Sequence, residues 1–319
     1  RSLTFRKLWS HYMIQPPPKI YGLIGYPVKH SLSPLMHNAA FKHLGINAEY
    51  KLFPVKPEEL EDFLLNNKPA AETGFSLKDI SGFNITIPHK VRAKEILEAE
   101  FPYDKNTVWI KELLYYVLVS GAVNTVKKAD NHELSYFNTD AKGFIKSLDN
   151  DLNFKTINKD VFVIGCGGAG RAVIAALRWR DQKVKRIYVY DSSAEAVNSA
   201  KKQFSQVQQI MDKLEFINRE QIPEVIKKCQ LLVNASSVGM NQGDGSVIDK
   251  KLLHKGLSVY DLVYNRKTQL IKDAESIGIP RANGLGMLLY QGVEAFGLWT
   301  EKDAPVEIMR QALEGAIKK

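Results

Sequence analysis

Three short motifs in this chain carry residues that could do chemistry together. Residues 81–90, SGFNITIPHK, end in Lys90, which follows a strand-like run, a proline and a histidine. Residues 138–140, NTD, end in Asp140, and residues 161–170, VFVIGCGGAG, form a glycine-rich turn. No motif is specific alone, but their order along one chain predicts an enzyme in which a lysine and an aspartate face a dinucleotide.

The glycine-rich turn has the context that a dinucleotide site needs. It follows a buried-type strand at residues 160–165 and opens a helix. Glycines let the backbone approach a pyrophosphate closely, and a helix N-terminus contributes free N–H groups and the positive end of its dipole. The alternative is a glycine turn with a structural role only. We expect the dinucleotide to contact Gly165, Gly167, Gly168, Ala169 and Gly170.

Asp191 stands at the end of the next predicted strand, in the sequence YVYDSSAEA. A carboxylate in this position accepts hydrogen bonds from ribose hydroxyls and repels a 2′-phosphate. No arginine lies between Asp191 and Val197 to compensate that charge. The sequence therefore favours NAD over NADP as the coenzyme. In the alternative interpretation, Asp191 only caps a helix that starts at Ser192 or Ser193.

The elements that must position these motifs alternate between strands and helices. Strands are predicted over residues 19–27, 48–55 and 83–87, and helices over residues 35–45, 57–67 and 91–101. A hairpin-like pair of strands follows around Asp130 and Asn131. This alternation predicts a mostly parallel sheet with covered faces.

The alternation continues through the second half of the chain, with strands at residues 160–165, 185–191, 230–236 and 257–264. We predict an α/β protein with two domains. Residues 20–142 and 286–319 form a mostly parallel α/β substrate-binding and catalytic domain, and residues 143–285 form a Rossmann-type dinucleotide-binding domain. The C-terminal helices return to the first domain and close a cleft. Residues 1–19, which end in PPPK, are predicted to be a tail or linker.

Bulk properties exclude several classes of protein. The net charge is +9 at pH 7, which suits anionic dinucleotides and carboxylates, but no basic run is interleaved with aromatics as in nucleic-acid binding proteins. The apolar run at residues 113–119 is too short to cross a bilayer, and no signal peptide is visible. We therefore expect a cytoplasmic protein with no membrane partner. The two cysteines cannot make a disulfide framework, and no residue cluster has metal-ligand spacing, so no metal is expected.

Six segments, in order, resemble the shikimate dehydrogenase family. They are residues 22–41 (GLIGYPVKHSLSPLMHNAAF), 82–90 (GFNITIPHK), 121–125 (GAVNT), 138–144 (NTDAKGF), the glycine loop and 283–296 (NGLGMLLYQGVEAF). The resemblance covers residues 20–319. It implies NAD(P)-linked interconversion of shikimate and 3-dehydroshikimate, with quinate accepted by some members. It also implies a substrate domain beside a Rossmann domain.

The resemblance also implies roles for single residues. Lys90 would exchange a proton with the substrate oxygen at the carbon that undergoes hydride transfer, and Asp140 would orient Lys90. Ser31 and Ser33 would bind the substrate carboxylate. Further substrate contacts are implied at Asn84, Thr86, Asn124, Tyr264 and Gln291, and nicotinamide contacts at Leu262 and Gly284.

Other interpretations of the sequence stay open. Quinate differs from shikimate by a ring hydroxyl close to Ser31 and Ser33; the paired serines favour shikimate, but quinate could be preferred. The chain could be one dehydrogenase module of a larger multifunctional protein. A non-catalytic binding protein on the same scaffold is disfavoured because Lys90 and Asp140 are both retained. The sequence is compatible with a monomer or a homodimer.

Overall fold

The computed structural model describes residues 16–103, 112–129, 133–179 and 182–317. Within them, the N-terminal part forms a five-stranded sheet in the order β2-β1-β3-β4-β5. The strands are β1 (Lys19–Gly25), β2 (Ala48–Pro54), β3 (Gly82–Ile85), β4 (Thr125–Lys128) and β5 (Leu134–Phe137). β1 pairs in parallel with β2 and β3, while β4 pairs antiparallel with β3 and β5. The predicted hairpin is β4–β5; its turn residues Asp130 and Asn131 lie outside the described residues.

The helices of this half are α1 (Ser33–His43), α2 (Leu60–Leu65), α3 (Lys90–Glu100), α4 (Glu112–Ser120) and α5 (Asp140–Asn150). α1 begins two residues before the prediction, because Pro34 fits the first helical turn, where its missing N–H costs nothing. The predicted helix over residues 57–67 is shorter, since a 3₁₀ turn, Pro57–Glu59, precedes α2.

The second half forms a six-stranded, wholly parallel sheet in the described residues, in the order β11-β10-β9-β6-β7-β8. Its strands are β6 (Asp160–Ile164), β7 (Arg186–Tyr190), β8 (Leu214–Phe216), β9 (Leu231–Asn234), β10 (Ser258–Asp261) and β11 (Arg281–Asn283). All five residues of β6 are buried, as expected for a strand covered on both faces. The strand order reverses between β6 and β9, which confirms the predicted Rossmann-type fold and places a ligand crevice beyond their carboxyl ends.

The helices of the second half are α6 (Gly168–Leu177), α7 (Ala194–Phe204), α8 (Gln208–Met211), α9 (Ile222–Ile226) and α10 (Gln269–Ser276). The C-terminal helices α11 (Leu285–Thr300) and α12 (Val306–Ile317) then return to the first half, as predicted. The Trp299 indole of α11 donates to the Val126 carbonyl at 2.9 Å. It also fills the space beside Gly82, where a Cβ would lie 2.6 Å from the Trp299 ring.

The apolar segment that includes residues 113–119 forms α4, a helix that contributes to both cores. Tyr115, Tyr116 and Val119 bury against the side chains of the second sheet, whereas Val117 buries against those of the first. Residues 104–111, just before α4, lie outside the described residues. No helix in the described part of the chain is long and apolar enough to span a membrane.

The predicted domain limits remain a prediction. The limit between residues 142 and 143 falls inside α5, and the limit between residues 285 and 286 falls at the start of α11. Both helices pack on each other and carry predicted site residues. Of the predicted tail, residues 1–15 lie outside the described part of the chain.

His37, on α1, is a fully buried histidine inside an aromatic cluster. Its ring stacks on Tyr50 with centroids 4.4 Å apart and planes 9° apart, and it also contacts Phe296 and Trp299. Neither ring nitrogen has a hydrogen-bond partner among the described residues. Burial lowers the pKa of His37 to about 3, because a charged ring has lost its hydration there.

The folded protein should therefore lose stability as the pH falls. Only the unfolded chain takes up a proton at His37 between its ordinary pKa of 6.5 and about 3. By linkage, this residue destabilises the fold by about 2 kcal/mol at pH 5 relative to pH 7.5. Urea unfolding at the two pH values measures the fall in the free energy of unfolding. This fall should be smaller by about 2 kcal/mol in His37→Phe and unchanged in His43→Gln, at an exposed histidine of the same helix. An equal fall in both variants would show that His37 is not its cause.

Candidate active site

Lys90 and Asp140 form an ion pair at the centre of the predicted site. Each is the first residue of its helix, α3 and α5. Lys90 Nζ lies 2.5 Å from Asp140 Oδ2, and the two side chains are only 13% and 7% exposed. A carboxylate is favoured at a helix N-terminus and an ammonium is disfavoured. The N-terminus of α3 would repel the charge of Lys90, and the Asp140 carboxylate compensates that repulsion. Asp140 also holds the Lys90 amine at one point.

Asn124 occupies the other oxygen of Asp140. Its Nδ2 donates to Asp140 Oδ1 and to Thr139 Oγ1, both at 2.9 Å, and its Oδ1 accepts from the Thr139 backbone N–H at 2.7 Å. Asn124 is 2% exposed. The structure thus brings Asn124 to the predicted pair, and its contacts are those of a side chain that fixes Asp140.

Gln291 reaches the same cluster from the returning helix α11. Its Oε1 lies 3.4 Å from Asn124 Nδ2, and its Nε2 donates to the Leu288 carbonyl at 2.8 Å. α11 approaches α5 closely because residue 143 is glycine, where a Cβ would stand 2.7 Å from the Gln291 backbone nitrogen. The pairing of α5 with α11 therefore places Gln291 beside Asn124.

The predicted carboxylate contacts lie in the loop before α1 and at its first residue, and the predicted ring-hydroxyl contacts lie at the end of β3. Ser31 Oγ donates to Ser33 Oγ at 3.2 Å, so the two hydroxyls are neighbours. Asn84 lies within β3 and is 3% exposed. Thr86 follows the last residue of that strand, and its backbone N–H donates to the Ile24 carbonyl at 2.8 Å.

The glycine loop has the geometry of a phosphate-binding turn. Gly165 has φ of +99°, and a Cβ there would lie 2.7 Å from the Ala235 backbone. At Gly170, a Cβ would lie 2.0 Å from the Gly165 carbonyl oxygen. Above Gly167, the residue that precedes α6, a Cβ would meet no atom within 4 Å. Among the described residues no side chain caps α6, so its first N–H groups suit a pyrophosphate.

This loop lies directly against the lysine. A Cβ on Gly168 would stand 3.2 Å from Lys90 Cβ and 3.4 Å from Lys90 Cδ. The predicted dinucleotide loop and the predicted acid–base pair, which are distant in the sequence, therefore share one site. A nicotinamide dinucleotide fits these residues, and Gly165, Gly167, Gly168, Ala169 and Gly170 are the ones that would hold its pyrophosphate.

The Asp191 carboxylate binds backbone in this structure. Oδ2 accepts from the Cys166 N–H and Oδ1 accepts from the Ser193 N–H, both at 2.9 Å. α7 begins at Ala194 and is capped by Ser193, whose hydroxyl accepts from the Ala196 N–H. Asp191 thus ties the glycine loop to the turn after β7, and it is not the cap of α7.

Leu262, Gly284 and Tyr264 complete the predicted contacts, and Cys166 lies inside the glycine loop. The Leu262 carbonyl fills the place of a Cβ on Gly284, at 2.0 Å, so these two predicted nicotinamide contacts are adjacent. Tyr264, two residues after Leu262, is half-buried, and burial raises its pKa. Cys166 is fully buried, and burial together with Asp191 raises its pKa to about 12. Its thiol is therefore unreactive at neutral pH.

Sequence reasoning missed several residues that organise the site. Thr139 lies inside the NTD motif, so its position could have signalled its role. Thr125 likewise ends the GAVNT motif, and its Oγ1 accepts from Asn84 Nδ2 at 2.9 Å. Tyr50 carried no comparable signal, yet its hydroxyl donates to Asn84 Oδ1 at 2.8 Å. Among the residues that the structure describes, no group of three or more His, Cys, Asp and Glu side chains could hold a metal.

Comparisons with known proteins agree with this geometry. Residues 23–102 match the model of the shikimate dehydrogenase substrate binding domain, and residues 284–314 match that of the shikimate 5′-dehydrogenase C-terminal domain. The shikimate dehydrogenase (NADP(+)) of Methanopyrus kandleri is 35% identical over 92% of this chain and 94% of its own.

Solved structures agree as well. Shikimate dehydrogenase from Aquifex aeolicus is 33% identical, with a TM-score of 0.76, over 94% of this chain and 99% of its own. Shikimate 5-dehydrogenase from Thermus thermophilus, solved in complex with NADP(H) and shikimate, is 29% identical, with a TM-score of 0.72, over 93% of this chain and 99% of its own.

These relatives correct the coenzyme prediction. NAD was favoured over NADP because of Asp191, but the Methanopyrus kandleri relative is named for NADP(+), and the Thermus thermophilus structure holds NADP(H). The preference for NAD is therefore wrong. The expected repulsion of a 2′-phosphate is weaker than the charge of Asp191 suggests, because each of its carboxylate oxygens accepts a backbone N–H group, which offsets that negative charge. Because the similarity extends over more than nine-tenths of the sequence and includes both family models, the chain belongs to the shikimate dehydrogenase family.

Proposed function

We propose that this protein interconverts shikimate and 3-dehydroshikimate with NADP(H), using Lys90 and Asp140 as an acid–base pair. The observation that carries the proposal is the contact of the Lys90 side chain with Gly168 of the glycine loop while its amine is bound by Asp140. In a dehydrogenase the nicotinamide must reach the carbon that exchanges hydride while the acid–base group reaches the oxygen on that carbon, so the coenzyme site and the acid–base group must adjoin.

The proposed chemistry divides between coenzyme and protein. A nicotinamide coenzyme supplies or accepts the hydride. When 3-dehydroshikimate is reduced, the Lys90 ammonium gives a proton to the carbonyl oxygen and is left as a neutral amine, and when shikimate is oxidised, the neutral Lys90 amine takes the proton from the reacting ring hydroxyl. Asp140 orients the Lys90 amine, and Asn124 orients Asp140 through its second oxygen. Ser31 and Ser33 bind the carboxylate, Asn84 and Thr86 bind ring hydroxyls, and Gln291 and Tyr264 complete the pocket.

We expect NADP to serve better than NAD, and shikimate better than quinate. The Asp191 carboxylate accepts two N–H groups, which offset its charge and lessen its repulsion of a 2′-phosphate. Quinate would place an extra hydroxyl near the adjacent Ser31 and Ser33 hydroxyls. Initial rates with each of the two substrates and each of the two coenzymes test both statements. A higher kcat/KM for quinate than for shikimate, or no oxidation of either acid, would contradict the proposal.

Replacing Asp191 should weaken the binding of NADP and of NAD together. Asp191→Ala removes the acceptor of the Cys166 and Ser193 N–H groups and loosens the glycine loop. We expect KM to rise about tenfold for NADP and for NAD, from the loss of two charge-assisted hydrogen bonds. Ser192→Ala, at the exposed neighbouring residue, is the control and should change neither KM by as much. If Asp191→Ala changed only the ratio of the two KM values, Asp191 would face the ribose instead.

A further inference from the structure

Tyr50 is a buried residue next to the predicted substrate contacts. It lies on β2 and is 2% exposed. Its backbone N–H donates to Asn38 Oδ1 at 2.7 Å, and its carbonyl accepts from Asn38 Nδ2 at 3.0 Å. Its ring is held by the stacked His37 ring. The Tyr50 hydroxyl is therefore fixed in space by contacts on both its backbone and its ring.

The Tyr50 hydroxyl holds one predicted substrate contact directly. It donates to Asn84 Oδ1 at 2.8 Å. Burial raises the pKa of Tyr50 well above its ordinary value, so the hydroxyl keeps its proton and stays a donor. One fixed hydroxyl thus holds the amide that is predicted to meet a ring hydroxyl.

The hydrogen bonds of Asn84 determine what it can offer to a ligand. Its Nδ2 donates to the Asn124 backbone carbonyl at 3.1 Å and to Thr125 Oγ1 at 2.9 Å. A primary amide has two N–H donors, and both are used. A backbone carbonyl only accepts, so a flipped amide would turn its oxygen toward that acceptor. Its Oδ1 accepts from Tyr50 and retains one lone pair, so Asn84 can only accept a hydrogen bond from a ligand.

We infer that Tyr50 is a positioning residue for the substrate. Its hydroxyl holds Asn84 as a hydrogen-bond acceptor, which favours a ligand with a ring hydroxyl at that position over one with a carbonyl or with no oxygen there. The inference rests on the proposed function, because it takes shikimate as the ligand. It adds a residue from β2 to a site that already holds Lys90 from α3, Asp140 from α5 and Gln291 from α11. It also assigns a direction to one hydrogen bond of the substrate.

The test is Tyr50→Phe, with Tyr21→Phe as the matched control. Tyr21 is buried in the same aromatic cluster, stacked on Phe41 and Trp299, and none of the described hydrogen bonds joins it to Ser33 or Asn84. Tyr50→Phe should raise KM for shikimate about tenfold, because Asn84 Oδ1 loses the donor that holds it. KM for NADP should stay within about twofold of the wild-type value. Tyr21→Phe should change neither KM.

Substrate analogues separate positioning from a general loss of stability. Shikimate analogues that each lack one ring hydroxyl should include one whose kcat/KM with the wild-type protein is far below that of shikimate. In Tyr50→Phe the ratio of kcat/KM for shikimate to that for this analogue should be severalfold smaller, because Asn84 is no longer held. Thr125→Val frees one Asn84 N–H without touching Tyr50 and should reduce the same kcat/KM ratio. It replaces Tyr50→Phe in the test if that variant does not fold.

The outcomes separate the role of Tyr50 from the proposed function. If the wild-type protein does not oxidise shikimate, the proposed function fails. If the wild-type protein is active, but Tyr50→Phe and Thr125→Val both keep the wild-type kcat/KM ratio for every analogue, the role of Tyr50 is overturned and the proposed function stands.

Discussion

Replacing Lys90 by methionine is expected to lower kcat for shikimate oxidation by about 10²–10⁴-fold, the usual contribution of a positioned acid–base group. KM for shikimate and for NADP should change far less, because methionine keeps most of the length of the side chain and its contact with Gly168. Steady-state kinetics in both directions would measure this, because one proton is removed in oxidation and one is delivered in reduction.

The chain offers a matched control for this experiment. Lys94 lies one turn further along α3, is 9% exposed and pairs with Glu98. Lys94→Met therefore also breaks a largely buried ion pair of the same helix, away from the glycine loop. We expect it to retain wild-type kcat. Near-native turnover in Lys90→Met would remove Lys90 from the reaction, and an equal loss in Lys94→Met would attribute the effect to α3 as a whole.

Asp140→Asn is expected to lower kcat by about 10²-fold. Asp140 accepts from Lys90 through one oxygen and from Asn124 through the other. An asparagine presents one acceptor and one NH₂ group, so one of these two donors would face another donor. The Lys90 amine then loses either its charge partner or its fixed position. Glu98→Gln, which changes the carboxylate of the matched pair, should leave kcat unchanged, and a loss of similar size there would contradict the role of Asp140.

The part of the site that the sequence could predict is the part built from local motifs. A strand followed by a glycine turn and a helix determines its own geometry, so the loop from Gly165 to Gly170 could be assigned from residues next to one another. Lys90 and Asp140 lie at the starts of helices that follow short motifs, and the structure brings them together. The parallel order around β6 follows from the alternation of strands and helices.

The part that could not be predicted depends on partners distant in the sequence. Whether the Asp191 carboxylate faces a ribose or the backbone depends on the turn after β7, where Ser193 takes the cap and leaves Asp191 to bind the Cys166 N–H. The sequence predicts a strand that includes Tyr50, but not that its hydroxyl meets Asn84, 34 residues later. The short elements α8 and β11, of four and three residues, are too brief to show a period.

The double variant Lys90→Met/Asp140→Asn tests the central claim most directly, by comparison of its kcat for shikimate oxidation with that of each single variant. If the two side chains act as one acid–base unit, the second substitution removes little that the first has left, and the double variant should be about as slow as Lys90→Met alone. The matched double variant Lys94→Met/Glu98→Gln should keep wild-type kcat. Losses that multiply, so that the double variant is slower than Lys90→Met by the full factor of Asp140→Asn, would show that the two residues act independently and would contradict the proposed pair.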